Sequence, residues 1–229
     1  MLPNRHRIKP GLYAITDSAL LPPERLICAV EAAVQGGAAL VQYRDKSGAS
    51  VQRLSQAKAL QSICTNGGVP LIINDDTELA RRVGAAGVHL GQSDGSPETA
   101  RKLLGDEAII GVTCHADLQL ARQAFDAGAD YLAFGRFFPS TTKPDAPPAS
   151  LDILTAARQF NRPVVAIGGV NLENGGQLIE AGADLLAVVG GLFATDDIEN
   201  RARAFTLLFE RVYPLLRTPC PRPDYKSNR

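Results

Sequence analysis

The sequence has no excess of charge of either sign, and this absence excludes whole classes of partner. Its 24 Lys and Arg residues balance its 24 Asp and Glu residues. Proteins that bind nucleic acid or anionic membranes usually carry a basic surplus, so we expect neither partner and look for anion binding at a local site. No run of about 18 apolar residues and no apolar signal-peptide segment occurs, so we expect a protein that is neither membrane-spanning nor exported.

Two further motifs are missing. Four cysteines are scattered without C-x-x-C spacing along 229 residues, at Cys28, Cys64, Cys114 and Cys220. A chain of this size does not need disulfides to hold a core together, so we expect reduced thiols and a cytoplasmic setting. The first predicted strand-to-helix turn, AITDSALLPPE, also lacks the G-x-G-x-x-G of dinucleotide-binding folds.

Short apolar runs alternate with longer segments of helical period along most of the chain. The helical segments, such as ERLICAVEAAVQGG, repeat apolar residues at intervals of three and four, as in helices that pack on a sheet. The predicted strands number eight: LYAIT (12–16), ALVQYR (39–44), PLIIN (70–74), GVHLG (87–91), IIGVT (109–113), YLAFG (131–135), VVAIG (164–168) and LLAVV (185–189).

Eight strands alternating with helices predict an α/β fold, a single (β/α)8 TIM barrel over residues 1–217. An open, doubly wound sheet is the alternative, and the missing glycine fingerprint disfavours it. The last twelve residues, 218–229, contain three prolines and no apolar period, so we expect a disordered tail. Association into a homo-oligomer is possible, but no apolar surface stripe specifies an interface.

Polar residues concentrate where the predicted strands end, which is where a barrel of this kind carries its active site. In QYRDK, alternation along a strand would send Gln42, Arg44 and Lys46 to one face. Together with Lys143 from a later loop, these donors and cations would converge on the barrel mouth and favour an anionic ligand there. The alternative is an internal network of ion pairs in which Asp75 and Asp94 supply the opposite charges.

Asp75 and Asp94 follow two successive strands, and they suit a divalent cation. Mg²⁺ binds to one or two protein carboxylates together with substrate oxygens and water, so we expect Mg²⁺ as a cofactor. Asp76 precedes a helical segment and is better interpreted as a helix N-cap. His89 is expected to be a hydrogen-bonded core residue, and Cys114 an inert buried thiol.

A second anion site is predicted at the glycine pairs that follow the last two strands, Gly168–Gly169 and Gly190–Gly191. Barrels commonly bind phosphate there on backbone N–H groups, although such glycines can also serve only to make tight turns. The preceding loop, FFPSTTKPDAPPAS (137–150), is long and rich in hydroxyl groups, as is typical of a lid over a phosphate.

The motifs QYRDK, NDD, GVHLGQSD, GVTCH, FGRFFPSTTK, AIGGV and AVVGG resemble, in this order, those of the thiamine-phosphate synthase family. The resemblance spans residues 11–212. It implies a Mg²⁺-dependent transferase that joins 4-amino-2-methyl-5-(diphosphooxymethyl)pyrimidine to 4-methyl-5-(phosphooxyethyl)thiazole and releases pyrophosphate. It further implies a dissociative reaction in which a pyrimidine carbocation forms before the thiazole nitrogen attacks.

The resemblance also implies roles for individual residues. Arg44, Lys46 and Lys143 would stabilise the departing pyrophosphate, and Asp75 and Asp94 would bind the metal. The pyrimidine diphosphate would be bound by Gln42, Tyr43, Arg44, Asp45, Lys46, Asn74, Thr113 and Lys143. The thiazole phosphate would be bound by Ser140, Thr141, Thr142, Gly169, Val189 and Gly190.

Three other functions compete with this interpretation. A related thiazole tautomerase would have lost most diphosphate and metal residues, and we would expect histidine where this chain has Arg136. A Schiff-base aldolase would need a lysine inside the barrel, whereas Lys143 lies in a polar loop. A non-catalytic phosphate-binding barrel is the third. Gly190 departs from the synthase pattern, which often has serine there, and this puts the affinity for the thiazole phosphate in question.

Overall fold

The structure, a computed structural model, describes residues 8–46, 50–139 and 147–213. Over these residues the chain forms a closed barrel of eight parallel strands in sequence order, with β1 paired to both β2 and β8. The strands are β1 Gly11–Ile15, β2 Leu40–Tyr43, β3 Leu71–Asn74, β4 Gly87–Leu90, β5 Ile109–His115, β6 Tyr131–Phe134, β7 Val164–Ile167 and β8 Leu185–Val188.

Helices connect successive strands and form the outer layer of the barrel. They are α1 Pro23–Gln35, α2 Ser50–Asn66, α3 Thr77–Val83, α4 Pro97–Leu104, α5 Leu118–Asp126, α6 Asp152–Ala157, α7 Leu172–Glu180, α8 Gly190–Phe193 and α9 Ile198–Val212. A 3₁₀ turn, Arg158–Phe160, extends α6. Because α9 packs against both α1 and α7, it closes the helical layer where the two ends of the barrel meet.

The strands alternate between an inner and an outer core. Tyr13, Leu40 and Ile72 point into the barrel, where they pack in one cluster with residues of four further strands. Their neighbours Leu12 and Val41 point outward into a larger cluster between the strands and the helices. Since the side-chain period of a strand is two, this alternation fixes which residue at each strand end faces the barrel axis.

The predicted (β/α)8 fold and all eight predicted strands are confirmed, and the open sheet is excluded by the pairing of β1 with β8. Asp76 caps α3 as predicted, since its carboxylate accepts a hydrogen bond from the Leu79 N–H at 2.8 Å. No helix among the described residues is long and apolar enough to span a membrane. The predicted tail, 218–229, lies outside the described residues.

Gly111 supplies the space for a large inner side chain. A Cβ atom at this position would lie 1.8 Å from Cζ of Tyr131, a fully buried ring on the neighbouring strand β6. Gly176 of α7 is a contrast, because a Cβ there would meet only Leu208 Cδ1, at 3.9 Å. The first glycine is therefore required by packing, whereas the second is not.

We predict that Gly111→Ala lowers the free energy of unfolding by about 1–3 kcal/mol, because the Tyr131 ring has to move. The control Gly176→Ala should instead raise stability by up to about 1 kcal/mol, since alanine is the better helix former. Urea denaturation followed by circular dichroism measures both. Equal stability of the two variants would contradict this account of the inner core.

Candidate active site

A cavity of about 320 Å³ opens at the carboxyl ends of the strands. Its wall combines apolar side chains, glycine turns, two arginines and other polar groups, and none of its lining residues is an aspartate or a glutamate. The lining residues come from six strands and the loops after them: Ile15, Gln42, Arg44, Thr113, His115, Gly135, Arg136, Pro139, Ile167, Gly168, Gly169, Val170, Asn171, Ala187, Val189, Gly190 and Gly191.

Residues 42–46, at the end of β2 and just beyond it, direct their side chains to two sides of the barrel wall. Gln42 is buried and lines the cavity, and Arg44 lines it two residues later. Tyr43 and Asp45 point instead toward the helices, and the Tyr43 hydroxyl donates to Gln56 Oε1 at 2.6 Å. Of the segment predicted to bind the diphosphate, Gln42 and Arg44 therefore face the cavity, as the strand period requires.

Arg44 is positioned by two residues that the sequence reasoning missed. Its Nη1 lies 2.6 Å from Oδ2 of Asp17, and both side chains are at most 17% exposed. The Thr16 hydroxyl accepts a hydrogen bond from the Arg44 N–H at 2.9 Å. Thr16 and Asp17 could have been recognised from the sequence, because they directly follow β1, and the site residues were sought at strand ends.

Asp75 and Asp94 come together next to Lys46. Asp75 follows β3 in a left-handed conformation (φ 64°), and its Oδ2 accepts a hydrogen bond from Lys46 Nζ. The Gly91 N–H donates to Asp94 Oδ2 at 3.0 Å, and the carboxyl groups of Asp75 and Asp94 lie next to each other. The structure therefore brings two of the predicted metal ligands and one predicted cation to one place.

The two carboxyl groups differ in acidity. Burial alone would raise the pKa of Asp75, but hydrogen bonds from Lys46 and Asp94 lower it below its usual value. Burial and the neighbouring Asp75 carboxylate both raise the pKa of Asp94 above its usual value. Because two close carboxylates resist simultaneous ionisation, this pair carries an unfavourable interaction that a bound cation would relieve.

Part of the alternative interpretation, an internal network of ion pairs, is present. Lys46 pairs with Asp75 as that alternative supposed, but Arg44 pairs with Asp17 rather than with Asp94. Lys46 is more than half exposed at its side chain, so its ion pair is accessible to a ligand. In water such an exposed pair contributes little stability and can exchange with a phosphate group.

Glycine turns after β7 and β8 form the opposite wall of the cavity. Gly168 and Gly169 have φ values of 100° and 65°, and a Cβ at Gly169 would lie 2.4 Å from the Pro139 carbonyl oxygen. Asn174 Nδ2 donates to the Gly169 carbonyl at 3.0 Å and so holds this turn against α7. Gly190 is different, because its nearest contact would be Leu20 Cδ1 at 4.0 Å.

The remaining predicted residues fall into three groups. Thr113 and Val189 line the cavity, and Asn74 ends β3 on the inward-facing side next to His89 of β4. Ser140, Thr141, Thr142 and Lys143 lie outside the described residues. His115 ends β5 and Arg136 follows β6, and both line the cavity without having been predicted as ligands; only these positions could have indicated them.

Cys114 is not part of the cavity wall. Its thiol is buried, lies 3.6 Å from the Val112 carbonyl oxygen, and has a pKa raised to about 12 by burial. Burial and a raised pKa accord with the expected structural role of this thiol, because a nucleophilic cysteine needs a lowered pKa. His89 is likewise hydrogen-bonded in the core as expected, with partners at both ring nitrogens.

We predict that Asp94→Asn stabilises the protein in metal-free buffer near neutral pH. Because its pKa is raised on folding, the ionised form of Asp94 is disfavoured in the folded state, and this cost is present above that pKa and disappears below it. The gain should not exceed about 1 kcal/mol, since the pair is partly exposed, and should vanish as pH falls through the Asp94 pKa. Thermal unfolding in EDTA across this pH range measures it.

Asp106→Asn is the matched control, because it removes an exposed carboxylate away from the pair. It should leave the unfolding midpoint nearly unchanged at every pH. A loss of stability in Asp94→Asn at neutral pH would contradict the like-charge interaction and would show instead that the carboxylate stabilises the loop after β4.

Three comparisons agree on the relationship of this chain to other proteins. The family model described as thiamine monophosphate synthase matches residues 12–192. The thiamine-phosphate synthase of Marinobacter nauticus is 61% identical over 92% of this chain and 96% of its own length, and that of Alcanivorax borkumensis is 56% identical over 90% and 96%. The solved thiamine phosphate pyrophosphorylase of Pyrococcus furiosus is 31% identical with a TM-score of 0.81, covering 91% of this chain and 98% of its own. With the closed barrel and the cavity at the carboxyl ends of its strands, these matches show that the chain belongs to the thiamine monophosphate synthase family.

Proposed function

We propose that this chain performs thiamine-phosphate synthesis at the cavity described above, by a Mg²⁺-assisted dissociative substitution. The activity itself, a transferase reaction, follows from membership of the family and from relatives that are 53–61% identical. What we propose is that Mg²⁺ takes part, which residues bind the metal and the substrates, and that the bond to pyrophosphate breaks before the new bond forms. The observation that carries this proposal is the pairing of Asp75 with Asp94 beside Lys46, at the same end of the barrel as a cavity that has no acidic lining residue.

The donor set fits Mg²⁺ better than a softer metal. Among the described residues no cluster of three or more His, Cys, Asp or Glu side chains comes together, which is the arrangement that zinc usually needs. Two adjacent carboxyl groups leave the other coordination positions to substrate oxygens and water, as Mg²⁺ prefers. Asp75 and Asp94 would hold the ion, which would supply charge neutralisation at the diphosphate when bound.

The chain's own cations would act on the leaving pyrophosphate. Arg44 is held in place by Asp17, and its position in the cavity wall suits a fixed hydrogen-bond donor to a phosphate oxygen. The Lys46 side chain is more exposed than that of Arg44, so it can leave Asp75 and follow the diphosphate as negative charge develops. Positioned charges of this kind stabilise bond breaking without a protein nucleophile, which accords with the inert Cys114.

The thiazole phosphate is proposed to bind on the opposite wall. Gly168, Gly169 and Gly190 line that side, where backbone can approach phosphate oxygens closely because no side chain intervenes. The two anions would then lie on opposite sides of one cavity, with the thiazole nitrogen directed at the pyrimidine carbon.

Cys28, Cys64 and Cys114 are free thiols, which supports a reducing, cytoplasmic setting.

No observation favours the tautomerase, the aldolase or the non-catalytic barrel over this function. Asp75 and Asp94, which the tautomerase would be expected to lack, stand together beside Lys46. Lys143, the lysine that an aldolase would require, lies outside the described residues. The synthase is therefore the function that the geometry and the comparisons support best.

We predict Mg²⁺-dependent formation of thiamine phosphate and pyrophosphate in equal amounts from the two substrates. Asp94→Asn should lower kcat by about 100-fold or more, because one charged ligand of the metal is lost. Chromatography of both products, with Mg²⁺ or with EDTA, measures the reaction. Full activity in EDTA, or an unaffected Asp94→Asn variant with Asp106→Asn as control, would contradict the metal assignment.

We predict that Gly190→Ser lowers the KM for the thiazole phosphate by about two- to tenfold, the effect of one added hydrogen bond. The structure leaves room for the new side chain, and the backbone of Gly190 is not in the left-handed region. The pyrimidine diphosphate KM should not change.

Gly191→Ala serves as the comparison for this experiment, since its Cβ would lie 2.4 Å from the Val170 carbonyl oxygen. This variant should raise the KM for the thiazole phosphate by distorting the turn. A Gly190→Ser variant with an unchanged KM for both substrates would place the thiazole phosphate elsewhere.

A further inference from the structure

Five polar side chains form a hydrogen-bonded chain across the interior of the barrel. Gln42 Nε2 lies 2.6 Å from the Tyr13 hydroxyl, which lies 2.7 Å from the Tyr131 hydroxyl. That hydroxyl lies 2.9 Å from His89 Nδ1, and His89 Nε2 lies 2.9 Å from Thr113 Oγ1. This series of hydrogen bonds begins and ends at the cavity wall, because both Gln42 and Thr113 line the cavity.

These hydrogen bonds are buried, so water cannot replace them. Tyr13 and Tyr131 are at most 1% exposed, Gln42 is 2% exposed and His89 is 8% exposed. The Tyr131 ring stacks on the His89 imidazole with ring centroids 5.6 Å apart, which fixes the relative position of the two groups. In such surroundings each donor needs an acceptor, because a buried polar group without a partner is costly.

The orientation of the Gln42 amide sets the direction of every proton in the chain. Burial raises the pKa of both Tyr13 and Tyr131, so each hydroxyl keeps its single proton. The Tyr13 oxygen accepts from Gln42 Nε2, so its proton goes to the Tyr131 oxygen, and the Tyr131 proton goes to His89 Nδ1. His89 is then the tautomer protonated at Nε2, and it donates to Thr113 Oγ1.

The Thr113 oxygen therefore accepts from inside the barrel, and its own proton is available to a ligand in the cavity. We propose that Tyr13, Tyr131 and His89 are positioning residues that hold the Thr113 hydroxyl as a hydrogen-bond donor to the diphosphate of the pyrimidine substrate. This role rests on the proposed function, because it assumes that an anion binds beside Thr113. Gln42 sets the direction, and Thr113 is the residue that contacts substrate.

If the protons pointed the other way along these hydrogen bonds, Thr113 would be an acceptor toward the cavity instead of a donor. With the Gln42 amide turned over, its oxygen would accept from Tyr13, and His89 would be protonated at Nδ1 instead. Thr113 would then donate its proton to His89 Nε2 and present only lone pairs to the cavity, where they would repel a phosphate oxygen. The tautomer of His89 thus distinguishes a donor from an acceptor at Thr113.

Nitrogen NMR of protein labelled with ¹⁵N at histidine tests the direction without substrate. The chain has 3 histidines, so His89 can be assigned by comparison with the variants His6→Gln and His115→Gln. At about pH 8, above the usual pKa of histidine, we expect a protonated Nε2 and an unprotonated Nδ1 in His89. In Tyr131→Phe, Nδ1 loses its donor, so His89 should no longer be held in one tautomer, and both ring-nitrogen resonances should shift toward an average of the two tautomers. A His89 protonated at Nδ1 would overturn the proposal.

Kinetics of single and double variants test the consequence for substrate. Thr113→Val and Tyr131→Phe should each lower kcat/KM for the pyrimidine diphosphate by about tenfold and leave the KM for the thiazole phosphate unchanged. The double variant should lose no more than Thr113→Val alone, because Tyr131 acts through Thr113. Multiplying losses would show that Tyr131 acts independently and would overturn the positioning role.

Tyr213→Phe is the matched control for the loss of a bonded tyrosine hydroxyl. Its hydroxyl donates to Asp184 Oδ1 at 2.6 Å, in a second cavity lined by Leu185, the first residue of β8, at the opposite end of the barrel. This variant should change neither the His89 spectrum nor the kinetics. Because the tautomer is read without substrate, a failure of the metal-assisted reaction would leave the NMR result intact and would be recognised separately.

Discussion

Closure of the sheet is the constraint on which the rest of this protein depends. Once β1 pairs with β8, no strand edge is left open, and all eight carboxyl ends meet around one opening. The strand period then assigns each residue to the inside or the outside of the wall. Gln42 and Arg44 face the cavity and Tyr43 faces the helices for this reason alone.

Only some of the charged groups at the site form ion pairs that are shielded from water. Arg44 has a partially buried partner in Asp17, whereas Lys46 shares Asp75 in an exposed ion pair. Asp94 lies against a second carboxyl group with only a partial compensation from Lys46 and the Gly91 N–H. A protein often retains such unfavourable contacts at a functional site because ligand binding relieves them.

The glycines of the cavity wall differ in whether the backbone requires them. Gly168 and Gly169 are dictated by shape, since positive φ values and close backbone neighbours exclude a side chain at both. Gly190 meets no such restriction, and its lack of a hydroxyl is a chemical property of this chain rather than a consequence of the fold. Inside the barrel, Gly111 and Tyr131 are complementary in size, and this fit places the Tyr131 hydroxyl between Tyr13 and His89.

The sequence by itself determined the eight strands, the barrel class and the strand ends at which polar groups collect, because these follow from periods of apolar residues along the chain. It also indicated Asp75, Asp94 and Gln42, which lie within or shortly after the carboxyl-terminal parts of predicted strands. It could not pair Arg44 with Asp17, which is 27 residues away, nor join Gln42 to Thr113 through Tyr13, Tyr131 and His89. Arg44 and Asp17 meet because β1 pairs with β2, whereas Tyr13 of β1 and Tyr131 of β6 meet because closure of the barrel brings strands that are not neighbours within hydrogen-bonding distance across its axis.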